Sequence, residues 1–504
     1  MMINLNLDKF RIVHGYILKV YIYTYFLYEL YCMILPAVAA VDAGNPVLYL
    51  LFSISGIILL SFDLLLNYKC LRNKEFLFPT LFILVSIISV LVNYKYDFVS
   101  NVKLLCLMMV QFTCFYATRK KEFDSEQTVS SLMKIFTLVW FVCVVVSLWQ
   151  YVIGYGEWID IPSLNDARYR RVGFCEERLF GVFGDPNYAA LISIVSAVLG
   201  ILSGVKKGAK RRSKIFAGVN LVFQWLYIVL SGSRTAILSL IAACFIMCFF
   251  AWFRYMSRKE NKVVRNASMA LLIAGVCSIS IFGVQTVTQK VMVTVPTFFS
   301  NITSSNAVEN ANGLSATQET EGEVITGDNE KESSNVNDAN TEISLQREDV
   351  VNSEDISNNR FKIWKDALLV WKSSPIVGAT ARGYLDYAKD KFGDIYIVER
   401  QYAIHNGYIS TLVFSGVLGA VVIVAWMAFV LIRVFKYLFS QVNFDRNQYI
   451  EVVCMFAILA ALVVGALTLS MIFYSTMFID VLFWLICGYI LMLTKKERTK
   501  ENVA

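Results

Sequence analysis

A chain of 504 residues, 57% hydrophobic and only 17% charged, is too apolar for a string of soluble domains. Its net charge of +7 is gathered in short segments between apolar runs, a pattern that reports membrane topology and gives no ground for a nucleic-acid partner. The solvent for most of the chain is lipid, where only helices satisfy their own backbone groups.

Apolar runs long enough to cross a bilayer, about 20 residues each, predict spans over residues 16–41, 47–66, 76–93, 100–118 and 131–153. Further spans follow at 185–204, 213–231, 235–253 and 268–288, and the last three at 404–432, 450–470 and 473–493. The expected fold is an all-α polytopic membrane protein of about twelve helices. Residues 1–153 carry helices 1–5, residues 185–288 helices 6–9, residues 404–493 helices 10–12, and residues 494–504 form a tail. The small-x-small spacing of Ala37 and Ala39 imitates a signal-peptidase site, but the stretch before it contains Lys19 and Glu29 and another span follows at once, which favours an uncleaved first helix.

Basic residues crowd alternate connections: Lys9, Arg11 and Lys19; Lys69, Arg72 and Lys74; Arg119 to Lys121; Lys206 to Arg212; Arg254 to Arg265; Arg433 and Lys436; and Lys495 to Lys500. The positive-inside rule places these in the cytoplasm and with them both termini. The eleven cysteines are scattered without a C-x-x-C pair, so neither a disulfide framework nor a zinc site is indicated.

Two segments on the opposite side exceed simple turns, 154–184 and 289–403. The second is a large external loop between helices 9 and 10. Residues 301–359 within it hold thirteen acidic residues against two basic ones and almost no aromatics, a composition that predicts disorder. Helical structure is expected over 360–403, where Ser357, Asn358 and Asn359 can cap a helix bearing Phe361, Trp364, Leu368 and Trp371 on one stripe. That stripe suits either packing on the span ends or the membrane surface.

Three polar clusters each sit where a helix enters the membrane from outside. The first runs from Arg178 to Asn187, with Asp185 suited to cap the sixth span and Pro186 to its first turn. The second, Ser231-Gly-Ser-Arg-Thr235, places Ser233 and Arg234 beside hydrocarbon. The third, His405-Asn-Gly-Tyr408, opens the tenth span. Helix N-termini carry partial positive charge and unpaired N–H groups, so together with Arg178 and Arg234 they suit a lipid diphosphate. Arginine is the fitting residue because its planar fork binds phosphate oxygens in pairs and stays charged. The bland alternative for Arg234 is an interface anchor that snorkels. His405 is one of only two histidines and suits a base that accepts a hydroxyl proton. No acidic pair accompanies the clusters, so no magnesium site and no cofactor is expected.

The clusters Arg178 to Asn187, Ser231 to Thr235 and His405 to Tyr408, with Gly416 and Gly419, resemble in order and topology the bacterial O-antigen ligase and O-antigen polymerase superfamily over roughly residues 170–430. The resemblance implies a GT-C-like integral glycosyltransferase of the cytoplasmic (inner) membrane. Such an enzyme moves a glycan, without a metal, from an undecaprenyl-diphosphate-linked oligosaccharide to a glycan acceptor, alongside other polysaccharide-assembly membrane proteins. It further implies that Arg178 and Arg234 bind the diphosphate and that His405 is catalytic. Asn187, Ser233, Asn406 and Tyr408 would support them, and Arg360 with Trp364 resembles the family's external Arg-x-x-x-Trp helix. Arg382, in a stretch with fewer glycines than the family shows, is either a third cation or a residue facing water. The acidic insertion is a second departure.

Within that superfamily the sequence leans towards a polymerase for capsule or exopolysaccharide, with an O-antigen ligase acting on a lipid A-core acceptor as the alternative. Intramembrane Glu29, Asp63 and Asp480 motivate a rival reading, a polysaccharide exporter or flippase. A membrane scaffold or sensor worked by the acidic insertion is a third.

Overall fold

The computed structural model describes residues 2–34, 46–66, 74–118, 123–160, 169–259, 262–311, 345, 359–440 and 445–495. Lys69, Arg72, the basic residues 119–121, most of the acidic insertion, the caps Ser357 and Asn358, and the residues from 496 on lie outside that set, as does the side chain of Asp63.

Five helices open the chain: α1 (Met2–Ile34), α2 (Pro46–Leu66), α3 (Lys74–Val92), α4 (Phe98–Ala117) and α5 (Ser125–Val152). After an excursion of strands come α6 (Pro186–Val205), α7 (Arg211–Leu230), α8 (Arg234–Ser257) and α9 (Val263–Ala311). Three short helices follow, α10 (Arg360–Ser373), α11 (Tyr384–Phe392) and α12 (Tyr396–Glu399), and then α13 (Gly407–Leu438), α14 (Arg446–Gly465) and α15 (Phe478–Leu493). Ten of these are long and apolar enough to span a bilayer; α2, through Leu50–Phe62, and α15 offer shorter apolar stretches. Among the described residues, then, ten helices meet the length requirement, with two shorter apolar helices beside them.

Helix α15 lies inside the bundle: almost every residue from Phe478 to Leu491 is buried, against α4, α14 and α1. Helix α6 is the other interior element, wedged between α7, α14 and α8. In contrast α9 shows Leu272, Val276 and Ile279 outward, each more than two thirds exposed, as a lipid-facing helix does. Two ion pairs fasten the end opposite the polar clusters, Arg433 to Glu75 between α13 and α3, and Lys206 to Glu451 (2.9 Å) between α6 and α14.

Four features depart from the sequence reading. Helix α9 does not stop near residue 288 but continues to Ala311, so residues 289–311, counted as external loop and in part as disordered, are helical. Segment 154–184 is not a plain loop, because it contains a three-stranded antiparallel sheet of β1 (Gly156–Asp160), β2 (Tyr169–Cys175) and β3 (Arg178–Gly181). On α10 the buried stripe is Ile363, Ala367 and Val370, which packs on α13 with Trp364 and Trp371 half-buried beside it, while Phe361 is 66% exposed and Asn359 makes no side-chain capping bond to the helix. Finally, α13 is not continuous: Gly416 at φ +63° and ψ −165° interrupts it within the predicted span.

That interruption is repaired by the segment after α10. Val417 N–H donates to the Pro375 carbonyl (2.8 Å) and Leu418 N–H to that of Ile376 (3.3 Å). The carbonyls of Val413 and Phe414 accept from Ala379 (2.8 Å) and Thr380 (3.2 Å). Irregular backbone at membrane depth is tolerated only where protein pairs its groups in this way.

Candidate functional site

Helices α6, α8 and α13 all begin at one end of the bundle, and each begins on a side-chain cap. Asp185 accepts the Asn187 N–H at 2.7 Å with Pro186 in the first turn. Ser233 accepts the Ala236 N–H at 3.2 Å, and Asn406 accepts those of Tyr408 and Ile409 at 3.0 and 2.9 Å. A cap satisfies only part of the first turn, so the remaining amide groups still aim their positive ends outward.

Hydrogen bonds bind the three helix starts into one network. Arg178, leaving β3, donates from Nε to the Ser231 carbonyl and from a terminal nitrogen to Asn187 Oδ1, both at 2.8 Å, joining the starts of α6 and α8. From α8 the Thr235 hydroxyl meets that of Thr468 at 2.5 Å. The adjacent Leu467 carbonyl accepts from Asn406 Nδ2 at 2.8 Å, and Gly407 N–H donates to Ala466 at the same distance. Tyr408 donates to Val463 (2.8 Å) and Tyr188 to Ser470 (3.2 Å), so segment 466–470 is the hub. Arg234, the first residue of α8, stands exposed beside this network, and Ser233 is buried beneath it.

Arg178 owes its place to the sheet. The β2–β3 hairpin turns through Glu176 and Glu177, both at positive φ (49° and 50°), as a two-residue turn between right-twisted strands requires. Beyond β3, Gly181 at φ +65° lies so close to Ser147 that a Cβ would collide with its hydroxyl, and Phe183 stacks on Trp140 at 4.4 Å. Tyr227 donates to the Phe180 carbonyl at 3.2 Å. With β3 pinned to α5 and α7, Arg178 is held where it reaches Ser231 and Asn187.

His405 closes the arrangement from the other side. It is half-buried, and its backbone is in the left-handed region (φ +52°), which histidine enters more readily than most residues. Trp364 on α10 donates from its indole to the Ile404 carbonyl at 3.0 Å, which ties α10 to the backbone beside His405. Burial lowers the His405 pKa from the ordinary imidazole range, the positive charge of Arg360 lowers it further, and Asp185 opposes both. Arg360 and Asp185, far apart in sequence, thus both lie within electrostatic reach of one imidazole.

The predicted residues therefore sort into two sets. Arg178, Asn187, Ser233, Asn406 and Tyr408 are joined through the network, with Arg234 beside it and His405 and Arg360 at its edge. Arg382 is held apart. Its backbone N–H donates to Asn101 Oδ1 at 3.0 Å and its exposed side chain lies near Tyr384, with no contact to His405 among the described residues. Sequence reasoning passed over Thr468 and the irregular segment behind it, whose polar Thr-Leu-Ser-Met between two spans was the available signal. It also passed over Ser86 and Ser89 on α3 and Asn93 just past its end, a polar stripe at helical spacing. Ser89 donates to the Phe414 carbonyl (2.8 Å) and Asn93 to that of Gly378 (3.0 Å), so the stripe holds the repaired break in α13.

Asp480 is accounted for structurally. Wholly buried, it accepts the backbone N–H groups of Ile472 (2.5 Å) and Met477 (2.9 Å) and so supports the hub segment from behind.

The family model described as O-Antigen ligase (Wzy_C) matches residues 219–424. The matched stretch runs from α7 into α13 and takes in Arg234, Arg360 and His405; Arg178, Asp185 and Asn187 precede it. No curated protein matches the chain. The match supports the assignment to the O-antigen ligase and polymerase superfamily, and with it a role in polysaccharide or O-antigen assembly at the membrane.

Proposed function

We propose that this chain is a glycosyltransferase of the cytoplasmic membrane which transfers a glycan from an undecaprenyl-diphosphate carrier to an acceptor hydroxyl at the outer face. The observation that carries the reading is the half-buried His405, subject to the charges of both Arg360 and Asp185, near three helix starts that also present Arg178 and Arg234. Basic residues at the opposite end of the bundle argue that this end faces outward and that both termini are cytoplasmic. The description of the matching family favours an O-antigen ligase over the polymerase towards which the sequence leans.

The chemistry is a single displacement with inversion. The acceptor oxygen attacks the anomeric carbon, the bond from that carbon to the diphosphate oxygen breaks, and the diphosphate leaves with the electron pair. His405 takes the hydroxyl proton. The guanidinium charges of Arg178 and Arg234 and the helix amide ends stabilise the charge gathering on the departing diphosphate, the task a divalent cation performs in other transferases. Asp480, one of the residues that motivate an exporter, is already spent on the cap of segment 472–477.

Purified protein in liposomes, given undecaprenyl-diphosphate-linked oligosaccharide and a lipid-anchored acceptor, is expected to join the two. Arg234→Ala should raise KM for the donor roughly 10- to 100-fold, the range of a lost charge-assisted hydrogen bond, with Arg234→Lys in between. Vectorial movement of the glycan without transfer would replace the transferase by an exporter.

The pH profile tests the base. A base must be neutral, so kcat/KM should rise with pH through the His405 ionisation, which burial and Arg360 hold below the ordinary imidazole value. Arg360→Ala removes one of the two lowering influences and should move the acid limb to higher pH. Asp185→Asn keeps a capping oxygen, removes the raising influence, and should move it lower. An acid limb that stays put in both variants would dissociate the profile from His405.

A further inference from the structure

Arg178 is the end of a row of side chains on the sheet. Trp158 on β1 pairs directly with Arg171 on β2, whose guanidinium lies 4.4 Å from the Trp158 ring centroid. The same guanidinium is 5.4 Å from the centroid of Phe180 on β3, and that of Arg178 is 6.0 Å from it. Trp158, Arg171, Phe180 and Arg178 thus alternate aromatic and cation from the sheet's outer edge to the helix starts. Stacking of a guanidinium on a ring fixes the plane of both.

The outermost member is the accessible one. Trp158 is 51% exposed, whereas Phe180 is buried. Phe174 and Leu179 turn the other way, Phe174 against Tyr151 and Leu179 into the core, and tie the sheet to the bundle. A tryptophan presented outward commonly anchors a membrane protein at the headgroup level. The strands here do not suit that role: Trp158 stands between Glu157 and Ile159, opposite Arg170, Arg171 and Val172, too charged a surface to enter lipid.

We infer that this row is a sugar-binding ledge, on which Trp158 stacks a pyranose ring of the glycan whose diphosphate end sits at Arg178. The inference rests on the transferase reading for the identity of its ligand. A sugar ring has an apolar C–H face and a hydroxyl rim, and it suits an exposed aromatic plane with hydrogen-bonding neighbours. Charge argues for a neutral occupant. Glu176 pairs with Arg171 at 2.7 Å and cancels its charge locally, so the ledge does not offer a second phosphate site. Continuity with Arg178 gives the direction: sugars beyond the reacting one extend outward along the sheet.

The test uses the full-length protein in detergent and two probes. The first is the free oligosaccharide, without lipid or diphosphate, followed by saturation-transfer NMR. Binding is expected, weakened roughly fivefold to tenfold in Trp158→Ala, the worth of one aromatic contact, and largely kept in Trp158→Phe. The second is a pair of lipid diphosphate donors carrying one sugar or the whole oligosaccharide. Trp158→Ala should raise KM for the long donor and leave that for the single-sugar donor unchanged. Equal loss on both donors would make Trp158 a membrane anchor, and free glycan that binds alike with and without Trp158, or not at all, would also overturn the ledge. Trp158-dependent binding without any transfer would instead sink the transferase and leave the ledge standing.

Discussion

Substituting His405 with asparagine is expected to cost about 10²- to 10⁴-fold in transfer rate, the usual contribution of a positioned base, while the protein still inserts and folds. Asparagine is the right replacement because the backbone there is left-handed (φ +52°), a conformation asparagine tolerates and alanine does not. The loss then reports the imidazole and not the turn. The expected signature is a fall in kcat with little change in KM for the donor, since the base acts on the acceptor proton in the transition state. Transfer by His405→Asn at more than a tenth of the parental rate would remove His405 from the chemistry. The arrangement around Arg178 and Arg234 would then need another base.

The second large effect is structural. Gly416→Ala should destabilise the protein by at least about 3 kcal/mol, from a backbone conformation open essentially to glycine alone and from the hydrogen bonds lost as the neighbouring segment is pushed away. At φ +63° and ψ −165°, a Cβ would collide with the Ile376 carbonyl, the group that accepts from Leu418. The repair of α13 and the placement of α10 therefore fail together, and Arg360 and Trp364 with them. Thermal unfolding followed by detergent-phase fluorescence would show the loss as a lowered Tm. A variant with unchanged Tm would mean that the break in α13 is not held by segment 375–380. Gly419→Ala is a less informative partner, since the crowding there comes from the Ser415 side chain within the same helix.

The two predictions differ in how early they were readable. His405 stood out because it is one of two histidines and opens a span, and its cap neighbour Asn406 follows the ordinary rule for helix starts. Asp185 with Pro186 was readable for the same reason, and the structure shows the cap as expected. Gly416 was noticed only as part of a motif. Its unusual backbone depends on carbonyls contributed from residues 375 and 376, some forty positions away, and no local signal in an apolar run reveals that.

Helix α10 makes the same point about side-chain faces. Helical spacing grouped Phe361 with Trp364 and Trp371; the two tryptophans pack half-buried, but the fully buried face carries Ile363, Ala367 and Val370, and Phe361 is left exposed. Hydrophobicity identifies which residues can be buried, whereas the neighbour decides which of them are. The two tryptophans lie half-buried because each indole N–H has a carbonyl to reach, Ile404 for Trp364 and Pro375 for Trp371. Arg382 shows the converse: by type it suited either a third cation or a residue facing water, and its side chain is exposed, near Tyr384.

By itself the sequence determined the solvent of this protein and where α6, α8 and α13 begin. Both follow from local free energies: the transfer of some twenty apolar side chains into lipid and the satisfaction of orphan N–H groups by Asp185, Ser233 and Asn406. Only the tertiary structure decided that those three starts share one network through residues 466–470, that a small sheet delivers Arg178 to it, and that Arg360 and Asp185 both act on His405. Those are pairings between residues tens to hundreds of positions apart, set by which helices pack together, and that choice is made by the shape of the whole core and not by any stretch of the chain.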